Sequence, residues 1–268
     1  MQVKKLLFSS GIIIFGIFFL DAFSHTGERS DLGGQAALGT FELLGAAASL
    51  YLLARAKPGN ASLLDVAGCA FALLLACLTL AGVSITWFAF YLLLRDRDDV
   101  NAKAAGTVAA AVAVQAVWAP VVFSKLSFLF LQIDAGITGW LVSRFVPGAS
   151  WNGTIVYTPI GHNVAITAPC ASFHNLSLAT LCWVTLSMMH RPNWMKGDLY
   201  IGLGAVLIQF AFNVWRLVFV CLSLPMYEFW HEGFGKHIFS ALATAGAILF
   251  VQTALICQNR NPRSLAIS

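Results

Sequence analysis

Leu199-Tyr-Ile-Gly-Leu-Gly-Ala-Val-Leu-Ile-Gln209-Phe-Ala-Phe-Asn213-Val-Trp-Arg216 is an apolar stretch broken only by Gln209, Asn213 and Arg216. These stand at i, i+4 and i+7, so on a helix they form one polar stripe. The apolar run continues to Leu222, and about 24 residues at 1.5 Å each are enough to cross a ~30 Å hydrocarbon core. An Arg near a helix end can snorkel to the interface, but Gln and Asn cannot. The stripe must therefore face the interior of a helix bundle, where each polar group finds a partner.

The rest of the chain agrees with a membrane protein. Of its 268 residues, 59% are apolar and 10% charged, with 8 Trp, 21 Phe and a mean hydropathy of +0.78. A soluble domain is about 25% charged, so a water-exposed globule and a disordered chain are both excluded. The formal charge of +4 is small and its basic residues lie between apolar runs. Nucleic acid is thereby excluded as a partner, membrane lipid is expected as the surroundings, and charge sets orientation.

Eight spans are expected, in an all-α integral membrane protein that forms one polytopic domain over residues 1–268. They lie at 6–23, 36–54, 63–94, 103–123, 126–146, 171–189, 199–222 and 235–257. The run 63–94 is too short for two full crossings with a turn and reads as one tilted span. The span 103–123 is expected to end near Pro120. The Ala- and Val-rich residues 104–117 read as helix-packing surface. The segment 126–146 carries Gln132, Asp134, Gly136 and Gly139, so it faces protein or water wherever it lies in the bilayer. Between 150 and 168, Gly153-Thr-Ile-Val-Tyr and Asn163-Val-Ala-Ile-Thr flank Pro159-Ile-Gly-His and read as a β-hairpin outside the hydrocarbon.

Short cytoplasmic loops retain Lys and Arg. With the N-terminus inside, nine of the sixteen basic residues fall inside: Lys4, Lys5, Arg55, Lys57, Lys125, Arg191, Lys196, Arg260 and Arg263. An inside C-terminus, marked by the 258–268 tail, requires an even number of spans. The hairpin, Cys170, Arg216 and His231 then share the outer, extracytoplasmic side of the cytoplasmic membrane.

Cys69, Cys77, Cys182, Cys221 and Cys257 sit within or at the ends of apolar runs, and no CxxC or Cys/His ligand spacing occurs. Neither a disulfide framework nor a metal site is expected, and no cofactor. Cys170 differs, because it follows Pro169 where the β-like stretch meets a new helix. The first turn of a helix is the positive end of its macrodipole, which favours a nucleophilic sulfur. His231 precedes the last span and can exchange a proton with such a thiol, as an Arg cannot. His174, at i+4 from Cys170, is a rival base. His162 and His237 read as structural or substrate-contact residues, and Asp134 can pair with Arg216 or Arg144.

Cys170 opening a span, Asn213-Val-Trp-Arg216 in the next, and His231-Glu232 followed by Gly235 and Phe239 together resemble the exosortase/archaeosortase family. That family carries a Cys with small residues after it, Asn-x-x-Arg, and His-(Asp/Glu)-x-x-Gly-x-x-x-Phe. The resemblance covers residues 115–257, a catalytic core that follows the N-terminal spans of 1–114. It departs from the family in having Ala171-Ser172 where Ser-Gly commonly follows the cysteine. What the resemblance implies is a cysteine transpeptidase or protease for secreted proteins that end in a short motif such as Pro-Glu-Pro, an apolar helix and a basic tail. Cys170 would then form a thioester, His231 would carry the proton, and Arg216 would stabilise the oxyanion or orient the substrate. Gln209, Asn213, His174, Glu232 and Asp134 would support these groups or contact substrate.

Two other classes stay open on the residues alone. A non-catalytic transporter or scaffold would use the polar stripe but would not need a cysteine at its outer end. A membrane thiol oxidoreductase would use Cys170 but would need a second thiol nearby.

Overall fold

The computed structural model describes residues 2–24, 40–95, 98–159 and 161–260. Arg29, Arg97 and Arg263, which enter the loop-charge argument, lie outside the described residues. The protein is mostly helical. Its helices are α1 (Val3–Ser24), α2 (Thr40–Ala54), α3 (Leu63–Cys77), α4 (Ala81–Leu94), α5 (Val100–Ala113), α6 (Ala119–Phe145), α7 (Ser172–His190), α8 (Lys196–Leu222), α9 (Leu224–Tyr227) and α10 (Gly235–Arg260). Four helical stretches among the described residues are long and apolar enough to cross a membrane: Val3–Ala22, Val100–Phe145, Lys196–Leu222 and Gly235–Arg260.

Three of the expected spans are partitioned differently. Residues 63–94 are not one tilted span but two short helices, α3 and α4, of 15 and 14 residues. They pack on each other, with Ser84 Oγ donating to the Ala72 carbonyl at 2.6 Å and Trp87 Nε1 to the Gly68 carbonyl at 3.2 Å. The break lies at Leu78-Thr79-Leu80. There Leu80 N–H bonds the Leu75 carbonyl and Thr79 N–H the Ala76 carbonyl, the paired bonds of a Schellman cap. Thr79 takes the left-handed conformation, φ 61°, that glycine usually fills, so no glycine marked the turn. The start of α3 is plainer, because Ser62 and Asp65 form a reciprocal capping box.

Conversely, 103–123 and 126–146 are not separated by a turn. The helix runs from Val100 to Phe145 through a π-turn at Val114–Trp118. Pro120 has no N–H for the carbonyl four residues back, and the widened turn just before it accommodates that loss without ending the helix.

The described chain divides into two compact units, one of residues 1–118, 180–199 and 257–268, the other of 119–179 and 200–256. In the first, Leu7, Ile14, Leu53, Ile85, Phe88 and Leu92 are fully buried. The small face of α5 packs there. A Cβ on Gly106 would lie 2.8 Å from Leu92 Cβ and 3.1 Å from the Ala89 carbonyl oxygen, and Ser49 Oγ donates to the Ala105 carbonyl at 3.0 Å. Close backbone approach is how helices gain contact where lipid supplies no hydrophobic drive. Arg191 joins Asp198, Gln258 and Asn259 in the same unit.

The second unit holds a three-stranded antiparallel sheet, β1 (Ser150–Asn152), β2 (Ile155–Tyr157) and β3 (Val164–Ala165), in the order β1-β2-β3. The β-like runs read from sequence form β2 and β3, and the sheet gains β1 as a third strand. Val156, Val164 and Ile166 bury against Ala135 and Val142 of α6 and Leu217, Val218 and Cys221 of α8. Trp151 of β1 lies on α6 at Gly139, where a Cβ would come within 2.8 Å of Trp151 Cβ and 2.9 Å of its ring, so only glycine fits beneath it.

Candidate active site

Cys170 ends a short 3₁₀ turn, Ala168–Cys170, that leads out of the sheet. It is not in the first turn of α7 as expected: Ala171 is extended, and Ser172 opens the helix. Pro169 and the bond from Cys170 N–H to the Thr167 carbonyl, 2.8 Å, set that turn. Ser172 has a local role. Ser172 donates its N–H to Asp134 Oδ2 at 2.8 Å, and its hydroxyl also bonds that carboxylate. Asp134 is 2% exposed and caps the N-terminus of α7, where an anion is favoured. It forms no ion pair with Arg216 or Arg144 among the described residues. Arg144 instead stacks over Trp140, 5.0 Å from the ring centroid.

The polar stripe of α8 reaches the same turn. Asn213 Nδ2 donates to the Cys170 carbonyl at 3.0 Å and to Ser172 Oγ at 2.9 Å, while Asn213 Oδ1 accepts from Asn175 Nδ2 at 3.3 Å. The cysteine backbone is thus held by α8, and Ser172, two residues on, by α6. Arg216, one turn beyond Asn213, is close enough for its charge to act on Cys170, Asp134 and His231. Its Nε is buried without a hydrogen-bond partner among the described residues, as are Gln209 Oε1 and His231 Nδ1.

The Cys170 sulfur lies 3.0 Å from His231 Nε2. Cys170 is 2% exposed, and Thr167 Oγ1 approaches the sulfur to 3.8 Å. His231 sits in a π-turn, Glu228–Glu232, that closes with Gly233 N–H on the Glu228 carbonyl at 2.7 Å. A Cβ on Gly235 would lie 2.5 Å from Trp230 and 2.7 Å from the Phe229 carbonyl oxygen, so glycine is required for the chain to leave this turn. The imidazole stacks on Tyr227, with centroids 4.7 Å apart and planes at 18°. His162 meets Tyr227 edge-on at 5.5 Å and places Nε2 3.1 Å from the Val220 carbonyl.

Burial holds the His231 imidazole below its ordinary value of 6.5, and the Arg216 and Lys236 charges push the same way, against the exposed Glu232 carboxylate. A lowered pKa favours the neutral ring at pH 7, and a neutral ring whose N–H is on Nδ1 can accept a proton at Nε2. No family model, curated protein or solved structure matches this chain.

Of the residues singled out from sequence, Cys170, His231, Asp134 and Asn213 meet in one hydrogen-bonded group, with Arg216 beside them. Gln209 lies a helical turn from Asn213 on the side away from Arg216. His174 belongs to α7, where its carbonyl accepts from Ser177 Oγ, and His237 is exposed. Tyr227, Thr167 and Ser172 were missed. Tyr227 stands at i, i+4 to His231, a spacing that brings side chains together on a helix and could have found it. No group of three His, Cys, Asp or Glu residues among the described residues is arranged to hold a metal ion.

Proposed function

We propose that this chain is a membrane-embedded cysteine peptidase or transpeptidase of the exosortase/archaeosortase kind, acting on secreted proteins at the outer face of the cytoplasmic membrane. The observation that carries this is the 3.0 Å contact between Cys170 Sγ and His231 Nε2. A thiol held against a neutral imidazole is an activated nucleophile.

In the first step His231 Nε2 takes the thiol proton and Sγ attacks the scissile carbonyl carbon. The C–N bond then breaks, and the imidazolium returns its proton to the leaving amine. A thioester remains on Cys170. In the second step water or an amine attacks the thioester, His231 accepts its proton, and Sγ leaves and is reprotonated. Arg216 supplies fixed positive charge for the oxyanion of both steps. Asn213 and Asp134 keep the nucleophile turn in place.

The pH dependence follows from the imidazole. Since His231 must be neutral to act as base and titrates below 6.5, activity persists at mildly acidic pH and falls only below that value. Glu232→Gln removes a charge that raises this midpoint, so the acid limb of the rate profile shifts further down. A profile of kcat/KM against pH for both proteins checks the sign. An acid limb above 6.5, or an upward shift on Glu232→Gln, contradicts it.

The orientation proposed from loop charge gains support from the partition of the helices. With α3 and α4 taken as an out-and-back pair and 100–145 as one run, the outer position of the sheet and Cys170 is unchanged. Arg95, Arg97 and Lys103 move to the inner side and Lys125 moves into a helix. Eleven of sixteen basic residues are then inner: Lys4, Lys5, Arg55, Lys57, Arg95, Arg97, Lys103, Arg191, Lys196, Arg260 and Arg263. Hydrogen bonds tie several of these ends together, among them Val3 N–H to the Gly59 carbonyl and Lys57 N–H to Asp99. In a variant lacking the exposed native cysteines, Asn152→Cys is expected to react with an impermeant thiol reagent from outside, and Asn60→Cys only after permeabilisation. Labelling of both in intact cells overturns the orientation.

A second reading rests on Cys221, which is buried in the same cluster as Cys170. A thiol oxidoreductase would use it as the resolving thiol, and its removal would then be fatal.

A further inference from the structure

Within the first unit, α3 and α4 line an open cavity of about 570 Å³ whose walls include the exposed side chains Leu64, Phe71, Trp87 and Leu94. That size lies within the range of small-molecule sites. Its polar lining is confined to one end, where the first turn of α3 meets the last turn of α4 and Ser62, Asp65, Tyr91 and Arg95 stand together. Phe71 and Trp87 lie one to two turns farther along the two helices and are apolar except for the Trp87 N–H, which the Gly68 carbonyl takes. A space with polar side chains at one end and Phe71 and Trp87 farther along the two helices fits an amphiphile.

The polar end has one donor left over. Asp65 Oδ1 accepts from Arg95 Nε at 2.7 Å and from the Tyr91 hydroxyl. Asp65 Oδ2 accepts from Ser62 N–H and from the Ser62 hydroxyl, each at 2.8 Å. These four donors reach the carboxylate from the described residues. Arg95 is only 8% exposed, yet its Nη2 has no hydrogen-bond partner among the described residues. A buried guanidinium N–H is costly until an acceptor reaches it, and phosphate oxygens are the acceptors whose geometry the guanidinium fork matches. We propose that this cavity binds a membrane phospholipid, with an acyl chain along Phe71 and Trp87 and a phosphate oxygen accepting from the Arg95 guanidinium. The bilayer around these apolar helices delivers such a ligand, and basic pockets between membrane helices are known headgroup sites. The proposal is independent of the chemistry at Cys170.

The test uses the full chain purified in maltoside micelles. The probe is dioleoylphosphatidylglycerol, and the control is dioleoylglycerol, which has the same chains and no phosphate. The phospholipid is expected to raise the thermal midpoint saturably and to remain bound at about one equivalent in native mass spectra, while dioleoylglycerol does neither. Ala67→Trp, which fills the cavity from an exposed wall position and leaves the Asp65–Arg95 pair intact, is expected to remove both effects. Arg95→Lys keeps a cation beside Asp65 but spends its single nitrogen there, and it is expected to weaken binding at least tenfold. Equal stabilisation by dioleoylglycerol overturns the phosphate contact, and phospholipid retained by Ala67→Trp overturns the site. If Arg95→Lys fails to insert, the Ala67→Trp and dioleoylglycerol arms still decide.

Discussion

Processing of a co-expressed substrate falls at least about 10⁴-fold in Cys170→Ala and by a similar amount in His231→Ala, and the double variant is no worse than either. Residues that act as one unit in covalent catalysis show this lack of additivity, because losing either stops the same step. The pair here is a sulfur and an imidazole nitrogen 3.0 Å apart, with the ring fixed by its stack on Tyr227. Both proteins are expected to insert normally: Cys170→Ala trims one buried atom, and His231 stands on a turn outside the long helices. Arg216→Lys is expected to lose about 100- to 1000-fold, since the proposed mechanism puts the guanidinium on a developing oxyanion and an ammonium cannot reproduce it. Cys182→Ala and Cys221→Ala remain active. Substrate cleavage measured by gel shift in cells, with protein level read from the same samples, checks all of these. An active Cys170→Ala sinks the peptidase reading. A dead Cys221→Ala with a trapped mixed disulfide at Cys170 transfers the site to the oxidoreductase reading.

What could be read in the sequence was what composition and spacing encode. The stripe Gln209, Asn213, Arg216 fixed a polar face on α8, and two of its members do reach the cysteine turn or its surroundings. The β-like stretch before Pro169 was legible because alternating Val, Ile and Thr residues suit a strand and little else. The turn between α3 and α4 was not legible, because Thr79 holds a conformation that gives no signal without glycine. The continuous helix through Pro120 was not legible either, since a proline ordinarily ends a helix and only the π-turn beside it removes the conflict. These two departures offset each other in the parity of crossings, so the proposed side of the sheet does not change. The contact between Asp134 and Ser172 joins residues far apart in the chain, and no local pattern specifies such a pair. The contact between the Cys170 thiol and the His231 imidazole is of the same kind: residue types and helix ends suggested it, but only the fold brings positions 170 and 231 together.

Deleting the apolar helix of a tethered substrate, while keeping its scissile motif, is expected to reduce cleavage by about 10² to 10⁴-fold, the usual gain from confinement. Cys170, the proposed nucleophile, is 2% exposed and lies in an apolar cluster with Val156, Ile166, Leu217 and Val218. Among the described residues, Arg216 Nε and His231 Nδ1 beside it are buried without a hydrogen-bond partner. Such a site offers a free peptide little to bind, so affinity per encounter is poor. A substrate held by its own membrane helix is presented repeatedly at one depth, and part of the entropy of bringing the carbonyl to Sγ is lost before the reaction begins. The comparison is a reporter with the intact tail against one whose apolar stretch is removed, both exported, with cleavage followed by the size of the product. The loss should fall on kcat/KM through KM, because the chemistry at Cys170 is untouched. High concentrations of soluble reporter should therefore recover part of the rate. Equal cleavage of tethered and soluble reporters refutes confinement as the source of specificity, even where Cys170→Ala is dead. A soluble reporter that stays uncleaved at every concentration shows instead that the apolar helix contributes contacts to the transition state, and that the tail is part of the recognised structure.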